Sequence, residues 1–334
     1  MKLKFYKKFL DKKKYRIYLA SKRDSKSILN FIDKFWKKNH IFVKSKKLFK
    51  FQHQSGKKLN WVLAKNVSSG KLEGVLGLVS KNFFANGKIC KKDDIWIAII
   101  MVAYPLKPSK GLGTEMIKYF HRKFKPSSIS AIGINKNVAN LYKKLGLKIG
   151  YVIQYYLKNK KNSFYKNKSS NLKITKNIKK IKSYKYFDQK FKHYQYFSNR
   201  YFKHPIYDYF LCILYEKKLI KNFFILRKIK YGKKVALRIV DLGNIKFLNK
   251  FKKENFEYLV NYFRANHIDF LNYGIKKEFF KKIGLSLRKK NVFIPHNFEP
   301  FKKKNKDVMI AYKSDNKNFY VFKGDSDLDR PALL

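Results

Sequence analysis

Residues 94–124, "DIWIAIIMVAYPLKPSKGLGTEMIKYFHRKF", constrain this chain more than any other stretch. An apolar run rich in isoleucine and valine reads as a strand ending near Pro105. "TEMIKYFHRKF" (114–124) then spaces its apolar residues as one face of a helix does. Between them lies "KPSKGLGT", a Gly-x-Gly turn. The first amides of a helix have no partner within it, and the helix dipole places partial positive charge there, so such a turn can hold a phosphate. A strand that turns tightly into an amphipathic helix calls for a sheet with helices packed on it.

Two common phosphate-binding folds fail on their own residues. A dinucleotide-binding turn needs a third glycine where Met116 stands and an acidic residue on the next strand, and "ISAIGIN" has none. No Gly-x-x-x-x-Gly-Lys-Ser/Thr occurs, which excludes a P-loop.

The surrounding order narrows the fold. "YRIYLAS" (15–21) reads as a strand, 24–40 as a capped helix and "KSKKLFKFQHQ" as a second short helix. Three strand-like runs follow, at 61–66, 74–80 and 94–104, as an antiparallel meander. After the turn and its helix come a strand (129–134), a helix (136–146) closed by Gly146, and a strand ending near Lys158. One mixed α/β sheet flanked by helices is the expectation.

The formal net charge is +59, which at face value predicts attraction to polyanions. Only nine of the 80 basic residues are arginine, in a chain crowded with Lys, Asn, Ile, Phe and Tyr. That bias fits an AT-rich coding sequence, and guanidinium is the group suited to bidentate phosphate and base recognition. The basic residues therefore read as a solvated lysine surface, with no specific nucleic-acid site. Cys90 and Cys212 suggest neither a disulfide framework nor a thiolate metal site. The N-terminus has no continuous apolar core of a signal peptide, and the run 95–106 is too short to span a bilayer. A cytoplasmic protein without a transmembrane segment is expected.

From 158 to about 195 the chain is rich in Lys, Asn and Ser and reads as a linker. A second apolar block follows, with strand-like runs at 204–216, 222–230 and 235–243, a helical stretch at about 246–266, then "IDFLNYGI", "KEFFKKIG" and "NVFIPHNF". "FFKKIGLSL" (279–287) echoes "LYKKLGLKI" (141–149), with Phe280 where the first has Tyr142. The second block has only "DLGNIKF" where the first has its glycine turn. The expected domains are 1–157, a linker 158–195, and a degenerate second copy over 196–334.

Taken together, the element order and "PSKGLG" resemble the GNAT superfamily of acyl-CoA-dependent acyltransferases, whose signature is Gln/Arg-x-x-Gly-x-Gly/Ala. Gly111 and Gly113 match it, while Pro108 replaces Gln/Arg and Ser109 replaces a frequent glycine. The family's Asn followed seven residues later by Tyr matches Asn135 and Tyr142. The resemblance implies two such folds in tandem, with acetyl-CoA or another acyl-CoA as co-substrate and no metal. It implies that Ser109, Lys110, Gly111, Leu112, Gly113 and Thr114 hold the CoA pyrophosphate, with Lys107 adding charge nearby. Met101, Val102 and Ala103 would meet the pantetheine through backbone amides. Asn135 would contact the pantetheine or diphosphate region, and Tyr142 would be the acid that protonates the departing thiolate.

No general base stands out; Asp94, Glu73 and Ser130 are the nearest candidates, the first two reading more simply as turn or strand-end residues. The loop and the ending "YVFKGDSDLDRP" are similar to a subset of such proteins encoded among surface-polysaccharide genes. That implies a small-molecule amine acceptor, an amino sugar or sugar-linked amine. Asp325, Asp327 and Asp329 read as a polar turn, or, if folded back onto the first domain, as carboxylates for that amine. The competing reading is a non-catalytic member of the fold that binds a partner or polyanions.

Overall fold

The computed structural model describes residues 2–4, 14–103, 111–159, 171–289, 291–292, 294, 307–316 and 318–326. Lys107, Pro108, Ser109, Lys110, Asp327 and Asp329 lie outside the described residues. The chain divides into two compact units, Met1–Gly150 with Met309–Lys317, and Tyr151–Val308 with Asn318–Leu334.

Unit 1 opens with β1 (Tyr15–Ser21), α1 (Ser25–Phe31), α2 (Ile41–Lys44), α3 (Lys46–His53) and β2 (Gln54–Ser55). β3 (Lys58–Asn66), β4 (Leu72–Ser80), α4 (Lys81–Asn86), β5 (Asp94–Val102), α5 (Leu112–Phe124), β6 (Ser128–Ile134) and α6 (Lys136–Lys144) follow. β1, β3, β4 and β5 pair antiparallel in that order, and β6 joins β5 in parallel. Side chains alternate between faces. Val62, Leu76, Ile95, Ile97, Ile129 and Ala131 form one buried cluster with Leu112, Met116, Ile117 and Phe120 of α5 and with Tyr142 of α6. The opposite face carries Trp61, against which Phe49 and His53 of α3 pack at 6.0 and 4.9 Å between ring centres.

α4 falls in the stretch 81–93, between two of the strand-like runs, where the sequence shows no element. Ser80 caps it by accepting from the Phe83 amide, Gly87 ends it with φ at +75°, and Phe83, Phe84 and Ala85 are buried. Two adjacent aromatics and a cap suffice for a short helix against a sheet edge, but one turn is too little for a periodic signal.

Unit 2 takes up the chain partway along β7 (Lys148–Lys158). Its further elements are β8 (Leu172–Thr175), α7 (Tyr194–Phe197), β9 (Tyr209–Glu216), β10 (Leu219–Tyr231), β11 (Lys234–Leu242), α8 (Lys253–Tyr262), β12 (His267–Tyr273), α9 (Lys277–Lys282) and β13 (Ser286–Leu287). Last in the chain come β14 (Val308–Ser314), which from Met309 onward belongs to unit 1, and β15 (Val321–Phe322) of unit 2. β8, β9, β10 and β11 pair antiparallel in order, β12 joins β11 in parallel, and β7 runs antiparallel on the far side of β12. This is the strand plan of unit 1, where β14 runs antiparallel on the far side of β6. Among the described residues the two units thus repeat one mixed strand topology, each flanked by helices.

The boundaries differ from the sequence reading in three ways. Unit 1 ends at Gly150 rather than 157, because Ile153–Lys158 pair with β12. β14, from the far end of the chain, completes the sheet of unit 1, so 196–334 is not a continuous domain. The stretch 158–195 is more than a linker: its β8 pairs with β9, and Lys192 is 2% exposed. The helical stretch 246–266 is a 3-10 turn at Ile245–Lys250 followed by α8, and "NVFIPHNF" lies largely outside the described residues.

The echo between the halves is structural as well. Gly146 and Gly284 both have left-handed φ, at +81° and +74°. Their amides reach back to Lys143 and Lys281, and the following Leu147 and Leu285 amides to the carbonyls of Tyr142 and Phe280. Each pair closes its helix in the same way, and glycine is the residue that tolerates that φ without strain.

Candidate functional site

The parallel pairing of β5 with β6 lasts only from Asp94–Ser128 to Ile97–Ala131. β6 continues along β14 to Ile134. β5 continues along β4 to Val102, with Ala98 as an extra residue where the register shifts between Gly77 and Leu78. Past Ile97 the two strands part, and among the described residues the edge of β5 from Ile99 to Val102 has no neighbour on the β6 side.

The ladder decides which groups face that gap. Ala103 donates its amide to the Glu73 carbonyl at 2.8 Å, and Met101 and Val102 lie opposite Val75 and Gly74. Hydrogen-bonded and open pairs alternate along an antiparallel ladder. The main-chain groups of Met101 and Ala103 are thus turned to β4, and those of Ile100 and Val102 to the gap. Of the three expected amides, only that of Val102 faces the open edge, and the Ile100 amide, which the sequence reading does not name, faces it as well. The signal was the bulge, which has no residue signature.

α5 begins beside the same edge. Gly111 is its N-cap with φ at +94°, where a side chain would be strained, and among the described residues no side chain caps the helix. The first intrahelical bond runs from the Glu115 amide to the Gly111 carbonyl, so the amides of Leu112, Gly113 and Thr114 precede the ladder. A Cβ built on Gly113 would stand 3.5 Å from Ile100 Cδ1 and 3.9 Å from Val102 Cγ2. The positive end of a 13-residue helix is thereby brought against the open strand edge.

Tyr142 is 1% exposed, and its hydroxyl has no hydrogen-bond partner among the described residues. Burial pushes the phenol up from its ordinary value, so it holds its proton across the neutral range. Asn135 caps α6, its side chain accepting from the Val138 amide at 2.9 Å. Ser109 and Lys110 lie outside the described residues.

Glu73 accepts from Tyr15 Oη at 2.7 Å and from Asn66 Nδ2 at 2.9 Å. Asp94 begins β5, bonded by Ser128 Oγ at 2.6 Å and paired with Lys81 at 3.3 Å. Eight residue steps of strand separate it from Val102, roughly 26 Å, so it serves the closed end of the sheet. Ser130 is fully buried, with its hydroxyl unpartnered among the described residues.

Next to Asp94, Asp93 is buried and accepts from Ser80 Oγ and the Asp94 amide. Desolvation pushes its carboxyl up to about 6. Because the folded value lies above the unfolded one, its contribution to stability is full below about pH 4 and is lost as pH rises through 6. That shift is worth about 3 kcal/mol. We expect a carbon-13 titration of the Asp93 carboxyl to have its midpoint near pH 6; a midpoint near 4 would contradict the desolvated environment.

Among the described residues no cluster of three or more His, Cys, Asp or Glu could hold a metal ion. No helix among them is long and apolar enough to cross a membrane.

No protein-family model matches the chain, and no curated protein matches it in sequence. Solved structures do match. A GCN5-related N-acetyltransferase from Anabaena variabilis aligns with a TM-score of 0.55 at 12% identity, covering 90% of this chain and 73% of that one. A Pyrococcus horikoshii protein provisionally named an acetyltransferase aligns at 0.52 and 13% identity, covering 96% and 99%. Saccharomyces cerevisiae N-myristoyltransferase with bound myristoyl-CoA aligns at 0.50 and 9% identity, covering 92% and 80%. These neighbours carry acyltransferase names, and at such identities the likeness concerns architecture: this chain has the fold of the GCN5-related N-acetyltransferases, with two halves of that kind.

Proposed function

We propose that the protein transfers an acyl group, acetyl in the first instance, from acyl-CoA to an amine at the open edge of unit 1. The observation that carries this reading is the early parting of β5 from β6 beside a helix N-terminus that no side chain among the described residues caps. Acyl-CoA would supply the thioester that the amine attacks. The amides of Leu112, Gly113 and Thr114, with Ser109 and Lys110 before them, would hold its pyrophosphate. Val102 and Ile100 offer main-chain groups to the pantetheine as a strand would. Asn135 orients α6 through its cap.

Tyr142 is the proton donor of this reading. A buried phenol with no partner among the described residues keeps its proton at neutral pH and can give it to the departing thiolate, while the proton shed by the attacking amine nitrogen restores the phenol. The amine attacks in its neutral form, so turnover should rise with pH toward the amine's own value. A sugar-linked amine is our reading of the acceptor, supported by the resemblance of the loop and the tail. The cytoplasm is the compartment we assign.

Calorimetric titration with acetyl-CoA and with myristoyl-CoA tests the proposal. We expect saturable heat with at least one of them and a raised melting temperature. Absence of both would sink acyl transfer and leave a non-catalytic member of this fold.

A further inference from the structure

Unit 2 repeats the geometry of the candidate site but does not leave it open. β11 carries an extra residue, Val240, where its register with β10 shifts, as β5 carries Ala98. β11 pairs in parallel with β12 over four residues only, Ala236–His267 to Ile239–Phe270, as β5 does with β6. Beyond that point the chain's own β15 lies on β12, with Phe322 opposite Asn272 and Val321 opposite Tyr273. The following turn reaches β11: a Cβ on Gly324 would stand 2.8 Å from the Val240 carbonyl oxygen.

Buried charges hold this segment. Asp325 pairs with Lys192 at 2.6 Å, and Lys192 also pairs with Asp241 of β11 at 2.7 Å. Arg200 donates to the carbonyls of Gly324 at 3.2 Å and Ser326 at 2.6 Å. Val321, Phe322, Lys323, Asp325 and Ser326 are all buried.

The place equivalent to the uncapped start of α5 is closed as well. There unit 2 has the 3-10 turn Ile245–Lys250. The Ile245 amide donates to Asp188 at 2.6 Å and the Lys246 amide to Asn244 at 2.8 Å. A carboxylate oxygen and a carboxamide oxygen thus engage amides whose counterparts at the start of α5 no side chain among the described residues caps.

We propose that unit 2 is an acyl-CoA-type site permanently filled by its own chain, with residues 321–326 in the position of an extended ligand and Asp188 and Asn244 in that of its phosphates. Its groove takes no second acyl-CoA, and the tail acts as a structural strap. Asp325 therefore serves unit 2 as part of a buried ion cluster and is not a carboxylate for the amine of unit 1. The stoichiometric consequence rests on the acyl-CoA reading of unit 1; the strap itself does not.

Two measurements on the full chain test this separately. Calorimetry with acetyl-CoA is expected to give one site per chain, abolished by Gly111→Val in unit 1. Two sites, or one site that survives Gly111→Val, would overturn the filled groove. Hydrogen exchange is expected to protect the Phe322 amide, which donates to Asp325, as strongly as the central amides of β12, with or without acyl-CoA. Exchange of Phe322 at the rate of an exposed loop would overturn the strap even if the calorimetry shows no binding at all.

Discussion

Replacing Tyr142 by Phe is expected to lower turnover by about 10²- to 10⁴-fold, the usual contribution of a positioned proton donor, without lowering stability. The two effects separate because the hydroxyl has no partner among the described residues and is 1% exposed. A buried donor left unsatisfied costs about 1–3 kcal/mol, so its removal is expected to leave the melting temperature unchanged or raise it slightly. A packing tyrosine would give the same stability result with unchanged turnover, and that outcome would reject the acid. KM for acyl-CoA is expected to hold, since proton donation to the leaving thiolate belongs to the transition state. Phe280, at the same place in unit 2, is already the hydroxyl-free form: it is buried and stacks on Tyr155 at 3.8 Å.

Lys192→Met is expected to be the most destabilising single change in unit 2. It would leave Asp241 and Asp325 facing each other in the interior without the ammonium that pairs with both. Breaking a buried pair from one side costs about 3–5 kcal/mol, on the order of a 10 °C fall in melting temperature for a unit of this size. The pH dependence identifies the cause. Desolvation already raises the Asp241 carboxyl, against the opposing pull of Lys192. A raised carboxyl contributes stability at pH values below its unfolded value and loses it as pH rises. The deficit of the variant is therefore expected to be largest near pH 8 and to shrink toward pH 5 as the Asp241 carboxylate protonates. A deficit independent of pH would assign the loss to packing alone. Tyr201 donates to Asp241 at 2.6 Å, so Tyr201→Phe is expected to weaken the same cluster by a smaller amount.

Much of unit 1 was legible because its signals are local. The apolar run at 94–104, the glycine turn and the helical spacing to Phe124 depend on neighbours within a few residues, and they reappear as β5 and α5. Gly146 marked the end of α6 for the same reason, since a left-handed C-cap is a property of one residue. The partner of β6 was not legible. β14 arrives from more than 170 residues away, and any half-buried strand of suitable length fits an open edge, so pairing leaves no mark in either segment. The stretch 158–195 misled for a related reason. Its lysines read as solvated, yet Lys192 is buried because Asp241 and Asp325 meet it. A charge can be buried only where another neutralises it, and those residues are distant in sequence.

The candidate site divides along the same line. Gly111, Gly113, Asn135 and Tyr142 were visible as residue types at set spacings, because a helix start, a helix cap and a helical position are specified by the residues nearby. By itself, then, the sequence determined an α/β chain with two copies of one pattern, only the first of which keeps the glycine turn and the tyrosine. Tertiary structure alone decided where β5 leaves β6, which amides face the gap, and that the matching gap in unit 2 is occupied by residues 321–326. Hydrogen-bond ladders and buried ion pairs are made between segments far apart in the chain, and their partners are chosen by geometry that no local stretch encodes.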